Sequence, residues 1–258
     1  MHTVFSQYLL CRDPHPAEEL KDARTAGFEG IEFCSPVMRG YLSRGASLAD
    51  FAAALEASGL EPEGTGALRL VPGGASEEAR AELYDAADFS ELLAQKTGSL
   101  LCSLEPYICK DDDELALYPE GAVADDVKNA LLSLMSGRPC LRLSLCPDAD
   151  PKSLVRGVAK AAEIIALCAP RRVWLTADTG LLGPEALKEL ELIPKGALAL
   201  IRLGPDEEFN AAFLQKAAAL GFDGPVATSS ALAGSGERAQ TLSEAHELIK
   251  KALVAAGA

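Results

Sequence analysis

The stretch VWLTADTGLL (Val173–Leu182) decides how this chain is read. Val173 to Ala177 suit a strand buried on both faces, the form that strands take in parallel sheets. Asp178 ends the run and Thr179-Gly180 turns it. A carboxylate at the end of a buried strand is costly to desolvate unless something compensates it. The helical segment PEALKELELI follows at once, so the stretch reads as one strand–helix unit.

Working outward, the unit recurs along the whole chain. Strands are expected in TVFSQYLL, FEGIEF, EPEGTGALRLV, SLLCSLEPYI, CLRLSLCP, RVWLTAD, ALALIRL and GPVATSS. Helices are expected between them. HPAEELKDARTAG has Pro16 in its first turn and Gly27 as its stop; SLADFAAALEASGL has Ser47 as cap and Gly59 as stop. Further helices are read over 76–97, in ADDVKNALLSLMSG, in EEFNAAFLQKAAALG and in SEAHELIKKALVAAG. PKSLVRGVAKAAEIIALCA reads as another, with Leu154, Val158, Ala161 and Ile165 on one stripe. The acidic run DDDE (111–114) reads as a solvated loop. Eight strand–helix pairs in 258 residues predict an α/β fold, a single (β/α)8 TIM-barrel domain over residues 1–258. An open doubly wound sheet is disfavoured, because no glycine-rich phosphate loop opens the first helix.

Composition narrows the partners. Lys and Arg number 24 against 38 Asp and Glu, a net charge of −14 that argues against nucleic acid and against an anionic membrane. No stretch matches a signal peptide or a membrane span. The seven scattered cysteines, Cys11, Cys34, Cys102, Cys109, Cys140, Cys146 and Cys168, contain no C-x-x-C pair. They read as reduced thiols of a cytoplasmic protein.

EELKDARTAGFEGIEF, SLADFAAALEASGLEP, VWLTADTGLL and GFDGPVATS, in this order and spacing, resemble segments of the xylose isomerase-like TIM barrels. That family includes sugar phosphate isomerases and epimerases, and endonuclease IV. The resemblance implies a divalent metal held at the ends of strands five to eight by Glu, Asp, His and Glu. Here Cys146 stands at the first of those positions and Asp178 matches the second. Leu181 takes the place of a His that generally follows that Asp, Arg202 stands where the His ligand would be, and Ser229 or a neighbour falls at the last Glu. A guanidinium is no ligand and repels a cation, so no metal and no other cofactor is expected. The histidine-rich zinc chemistry of endonuclease IV is set aside with it: His2, His15 and His246 are the only histidines, and none is expected at the functional end of the barrel.

The expected answer for Asp178 is Arg202, one strand away, in the electrostatic place of the metal. The plain alternative is that Asp178 caps a loop while Arg202 reaches solvent. Since barrel chemistry sits at the C-terminal strand ends, the catalytic candidates are Glu32, Asp178 and Arg202. Glu105, Cys146, Ser229 and Arg69 are the binding candidates. Glu32 and Glu105 read equally as structural carboxylates, Arg69 as an ordinary exposed cation, and Cys146 as a packed thiol. The direction of Arg142, mid-strand in LRLSL, is left open.

The reading is a divergent, metal-independent isomerase/epimerase-like or lyase-like barrel that binds a small sugar-like ligand or organic acid at its mouth. The alternatives are a lapsed barrel that binds a ligand or a protein, or a structural subunit whose mouth is closed by side chains. Self-association into a homo-oligomer stays open.

Overall fold

A computed structural model shows a closed barrel of eight parallel strands in chain order, β1 to β8. It describes residues 1–10, 15–73, 76–98, 101–168, 173–233 and 237–257. Cys11, Arg172 and the first residues of the expected fourth strand, Ser99 and Leu100, lie outside the described residues.

The strands are β1 (His2–Ser6), β2 (Gly30–Cys34), β3 (Glu61–Arg69), β4 (Leu101–Glu105), β5 (Arg142–Leu145), β6 (Val173–Asp178), β7 (Leu198–Leu203) and β8 (Pro225–Thr228). The helices between them are α1 (Pro16–Ala26), α2 (Ser35–Ser43), α3 (Leu48–Ser58), α4 (Glu77–Thr97), α5 (Asp112–Leu115), α6 (Glu120–Met135), α7 (Gly157–Leu167), α8 (Ala186–Glu189), α9 (Glu207–Ala219) and α10 (Arg238–Ala256). The caps behave as their sequences dictate. The Ser47 hydroxyl accepts the N–H groups of Ala49 and Asp50, and Gly27 and Gly59 end α1 and α3 with left-handed backbone.

Several segments differ from the sequence reading; PEALKELELI, for one, holds only the short α8 and a 3-10 turn at Leu190–Leu192. The first strand stops at Ser6, because residues 7–10 form a 3-10 turn in which the Gln7 side-chain oxygen accepts the backbone N–H of Cys34 at 3.0 Å. α2 was not anticipated; it starts directly after β2, with Pro36 in its first turn. Residues 151–156 are not helical. Asp148 and Asp150 take the N–H groups of Asp150 and Lys152, and helix begins only at Gly157. Leu154 is nevertheless buried. The DDDE run is exposed as expected, but it forms the short helix α5, capped by Asp111.

The two faces of the barrel wall are told apart by contacts. Ser103, Ser144 and Thr176 hydrogen-bond to one another across β4, β5 and β6, so this face looks into the lumen. Phe5 and Phe33, on the other face, pack against Phe28 and Phe51 beneath the helices. Strand alternation then puts Glu105, Cys146 and Asp178 one layer above the hydroxyls, at the C-terminal mouth. It puts Leu101, Arg142 and Trp174 one layer below. Arg142 lies over the Trp174 ring, 4.1 Å from its centre, at the end of the barrel remote from Asp178.

Candidate functional site at the barrel mouth

Arg202 does not make its direct ion pair with Asp178. Its Nε reaches Glu32 Oε2 at 3.1 Å, and its Nη2 bonds Glu32 Oε1, a two-pronged contact across the lumen from β7 to β2. Ser6 donates a further hydrogen bond to Glu32. The reason is reach. The guanidinium spans the lumen to a strand that is not adjacent to its own, beyond the neighbouring-strand contact that the sequence predicts. Burial works against the charge on Arg202, but Glu32 and the other groups around it together outweigh that and hold the guanidinium well above its ordinary pKa. The ring of Tyr8 lies against the cation, 5.1 Å from ring centre to guanidinium carbon.

Asp178 is 1% exposed and stands beside Arg202 in the β6–β7 register. Burial raises its pKa, opposed by the charge of Arg202 and by hydrogen bonds from Ser229 and the N–H of Gly180. Asp178 is therefore compensated by the field of Arg202 and by hydrogen bonds from Gly180 in its own turn and Ser229 after β8. Gly180 is required there, since a Cβ would lie 2.7 Å from Ser229 Oγ and 3.1 Å from Asp178 Oδ1. Thr179 locks the same turn. Its hydroxyl accepts the N–H of Gly204 and donates to Asn210, whose amide returns to the Gly204 carbonyl.

Two β-bulges set which side chains reach the mouth. Between Thr65 and Leu68 one extra residue enters β3, so Arg69 rather than Leu68 stands beside Glu105. A second irregularity on β7, after the Leu175–Leu198 pair, brings Arg202 rather than Ile201 beside Asp178. Each shift exchanges the two faces of the strand beyond it.

The result is an open cleft of about 490 Å³. Asp178, Arg202, Cys146 and Tyr8 form its buried floor. Arg69, Glu105, Lys110, Tyr107, Asp148 and Ser230 are among the residues around them. Of the sequence candidates, Asp178, Arg202, Glu105, Cys146 and Arg69 meet here. Glu32 is fully buried behind Arg202, and Ser229 is buried behind Asp178, so neither lines the cleft. Burial holds the Cys146 thiol far above its usual range in spite of the nearby cation, which leaves it protonated.

Tyr8 and Lys110 also line the cleft and are not among the sequence candidates. Tyr8 was read as strand, but the turn after β1 lays it over the lumen. Among the described residues its buried hydroxyl has no hydrogen-bond partner, and a Cβ on Gly66 would overlap it. Lys110 follows Glu105 in the loop after β4, and only its position in a mouth loop signalled it. A more apolar cavity of about 570 Å³ opens at the N-terminal end of β7, among Ile193, Leu198, Phe222 and neighbours, and carries no comparable cluster.

No family model matches the chain. No curated protein matches it either. Solved structures do. A xylose isomerase domain protein from Alicyclobacillus acidocaldarius is 16% identical, with TM-score 0.74 and all of both chains covered. This is the xylose isomerase-like TIM-barrel fold. The IOLI protein, described with a bound zinc atom, is 16% identical with TM-score 0.79, covering 99% of this chain and 98% of its own. D-psicose 3-epimerase from Clostridium cellulolyticum H10, described with D-tagatose, is 11% identical with TM-score 0.75, covering 98% of this chain and 99% of its own.

The residues of this xylose isomerase-like barrel do not fit the divalent metal that the resemblance implies. A guanidinium already bonded to Glu32 occupies the end of β7, a protonated thiol that of β5, and a hydroxyl that of β8. Among the described residues, no three His, Cys, Asp or Glu side chains converge as a metal-binding group. No helix among them is long and apolar enough to cross a membrane.

Proposed function

We propose that this barrel binds a small, polar, sugar-like ligand at its C-terminal mouth, with side chains carrying the charges that a divalent ion would otherwise carry. The observation behind this reading is the open cleft over Asp178 and Arg202, with Arg69 and Glu105 at its edge. A mouth plugged by its own side chains, as in a purely structural barrel, would leave no such space. Cavities of this volume suit ligands of sugar size.

The roles follow from burial. Arg202 supplies a fixed positive field for a carbonyl or alkoxide oxygen, and Glu32 positions it. Asp178, its pKa raised by burial, is the candidate to hold or move a proton. Glu105 carries no ion pair among the described residues and accepts from a hydroxyl. If the protein turns its ligand over, the chemistry is isomerase/epimerase-like or lyase-like. A binding role without turnover is the second reading, and what favours it is that no histidine lines the cleft. Nucleic acid and membrane surfaces stay outside this reading, in keeping with the net charge of −14. Screening sugars, sugar phosphates and keto acids by thermal shift, with turnover followed in the presence of a chelator, tests both. Strict dependence of binding and turnover on an added divalent ion would refute the metal-independent reading.

A further inference from the structure

We propose that Arg69 and Lys110 form an anion anchor at the rim of the cleft, so that the ligand is a polyhydroxylated acid with its charged end at this rim. The inference rests on the mouth being a sugar-like site and adds the class of ligand and the side that holds its charge.

In a chain with 38 acidic and 24 basic residues, two cations at one cleft are a local reversal of the overall charge. Several arginines and lysines pair with acids: Arg39 with Asp85, Arg138 with Asp88, Arg238 with Glu18 and Asp22, Lys216 with Glu191, and Arg202 with Glu32. Arg69 and Lys110 both line the cleft, and neither forms an ion pair among the described residues. Lys110 gives Glu114 its backbone N–H at 2.7 Å, not its ammonium group.

Arg69 has an acid within reach and does not take it. The β3–β4 register puts it beside Glu105, on strands about 4.8 Å apart, yet no contact within 4 Å joins the two charges. Both side chains turn to the cleft instead. The bulge in β3 is what puts Arg69 there, since an unbroken ladder would leave Leu68 in its place.

The floor cannot serve the same purpose. Arg202 has two of its three nitrogens on Glu32, which leaves Nη1 for a single ligand oxygen and too few donors for a carboxylate or phosphate. An anion therefore settles at the rim, where Arg69 and Lys110 both line the cleft. Glu105 and Asp178 then call for hydrogen-bond donors, which the hydroxyls of a polyol supply. A carboxylate and a phosphate satisfy this geometry alike.

Isothermal titration of the full chain with D-gluconate, D-glucose 6-phosphate and D-glucose tests the anchor. At least one acid is expected to bind ten times more tightly than glucose or better, and that preference should shrink several-fold between about 50 and 300 mM salt. Preference for gluconate identifies a carboxylate, and preference for the phosphate ester a phosphate. In the double variant Arg69→Gln/Lys110→Gln the acids should bind within threefold of glucose. Circular dichroism of the variant guards against misfolding. Equal binding of all three compounds, or a preference that survives in the variant, overturns the anchor and leaves the mouth a sugar site. Absence of binding by all three overturns the anchor and the sugar-site reading together.

Discussion

Truncating Arg202 to Met strands the Glu32 carboxylate in the lumen, and the expected loss of stability is about 3–5 kcal/mol. Adding Glu32→Gln should restore part of it, with a coupling above about 1 kcal/mol in a urea-denaturation cycle. The same cycle on Asp178 and Arg202 should give the smaller coupling, because those two interact through the field and not through a shared hydrogen bond. Glu19 supplies a pH-dependent counterpart. It is fully buried, and desolvation pushes its pKa from 4.5 to about 7, although Gln7 and the N–H of His15 both donate to it. The folded state thus holds the proton where the unfolded chain has released it. The contribution of Glu19 to stability is greatest below pH 4.5 and falls as pH rises towards 7, by an amount on the order of 3 kcal/mol. Denaturation midpoints from pH 4.5 to 7.5 should show this slope in the wild type and a flatter one in Glu19→Gln. An unchanged slope would assign the titration to other groups.

Among the elements, the turns after β6 and β7 are the most tightly specified. A Cβ on Gly204 would overlap the backbone of Gly180, and backbone cannot rotate aside as a side chain can. Gly204→Ala should therefore cost about 2–3 kcal/mol in chemical denaturation and weaken any ligand held by Asp178, whose turn it displaces. Ser47→Ala, which removes the cap of α3, should cost about 1 kcal/mol and leave binding untouched, since α3 lies on the barrel's outside. Helix ends of this kind were legible because a cap and a stop are local: Ser47, Gly27 and Gly59 need only their own few neighbours. The turn at residues 7–10 was not, because a long-range bond from Gln7 to β2 breaks a segment whose composition suits a strand.

For the whole molecule, the expected behaviour is ligand binding that a chelator leaves unchanged. A ligand at a hundred times its dissociation constant should add about 2.7 kcal/mol to stability, read as the same thermal shift with and without EDTA. A shift abolished by EDTA would return the charge at the mouth to a metal.

The alternation of apolar strands and periodic helices sufficed for the eightfold barrel, because burial on both faces of a strand and on one face of a helix is a pattern written in the chain itself. The same alternation carried Asp178, Arg202, Glu105, Cys146 and Arg69 to the strand ends. Only the closed barrel decided their partners. Closure brings β2 and β7 within one side chain's reach across the lumen, so Arg202 meets Glu32, a residue 170 positions away. Single-residue bulges decided which arginines turn inward. Neither effect has a local signature, since both arise from ladder register and curvature that exist only once all eight strands are joined.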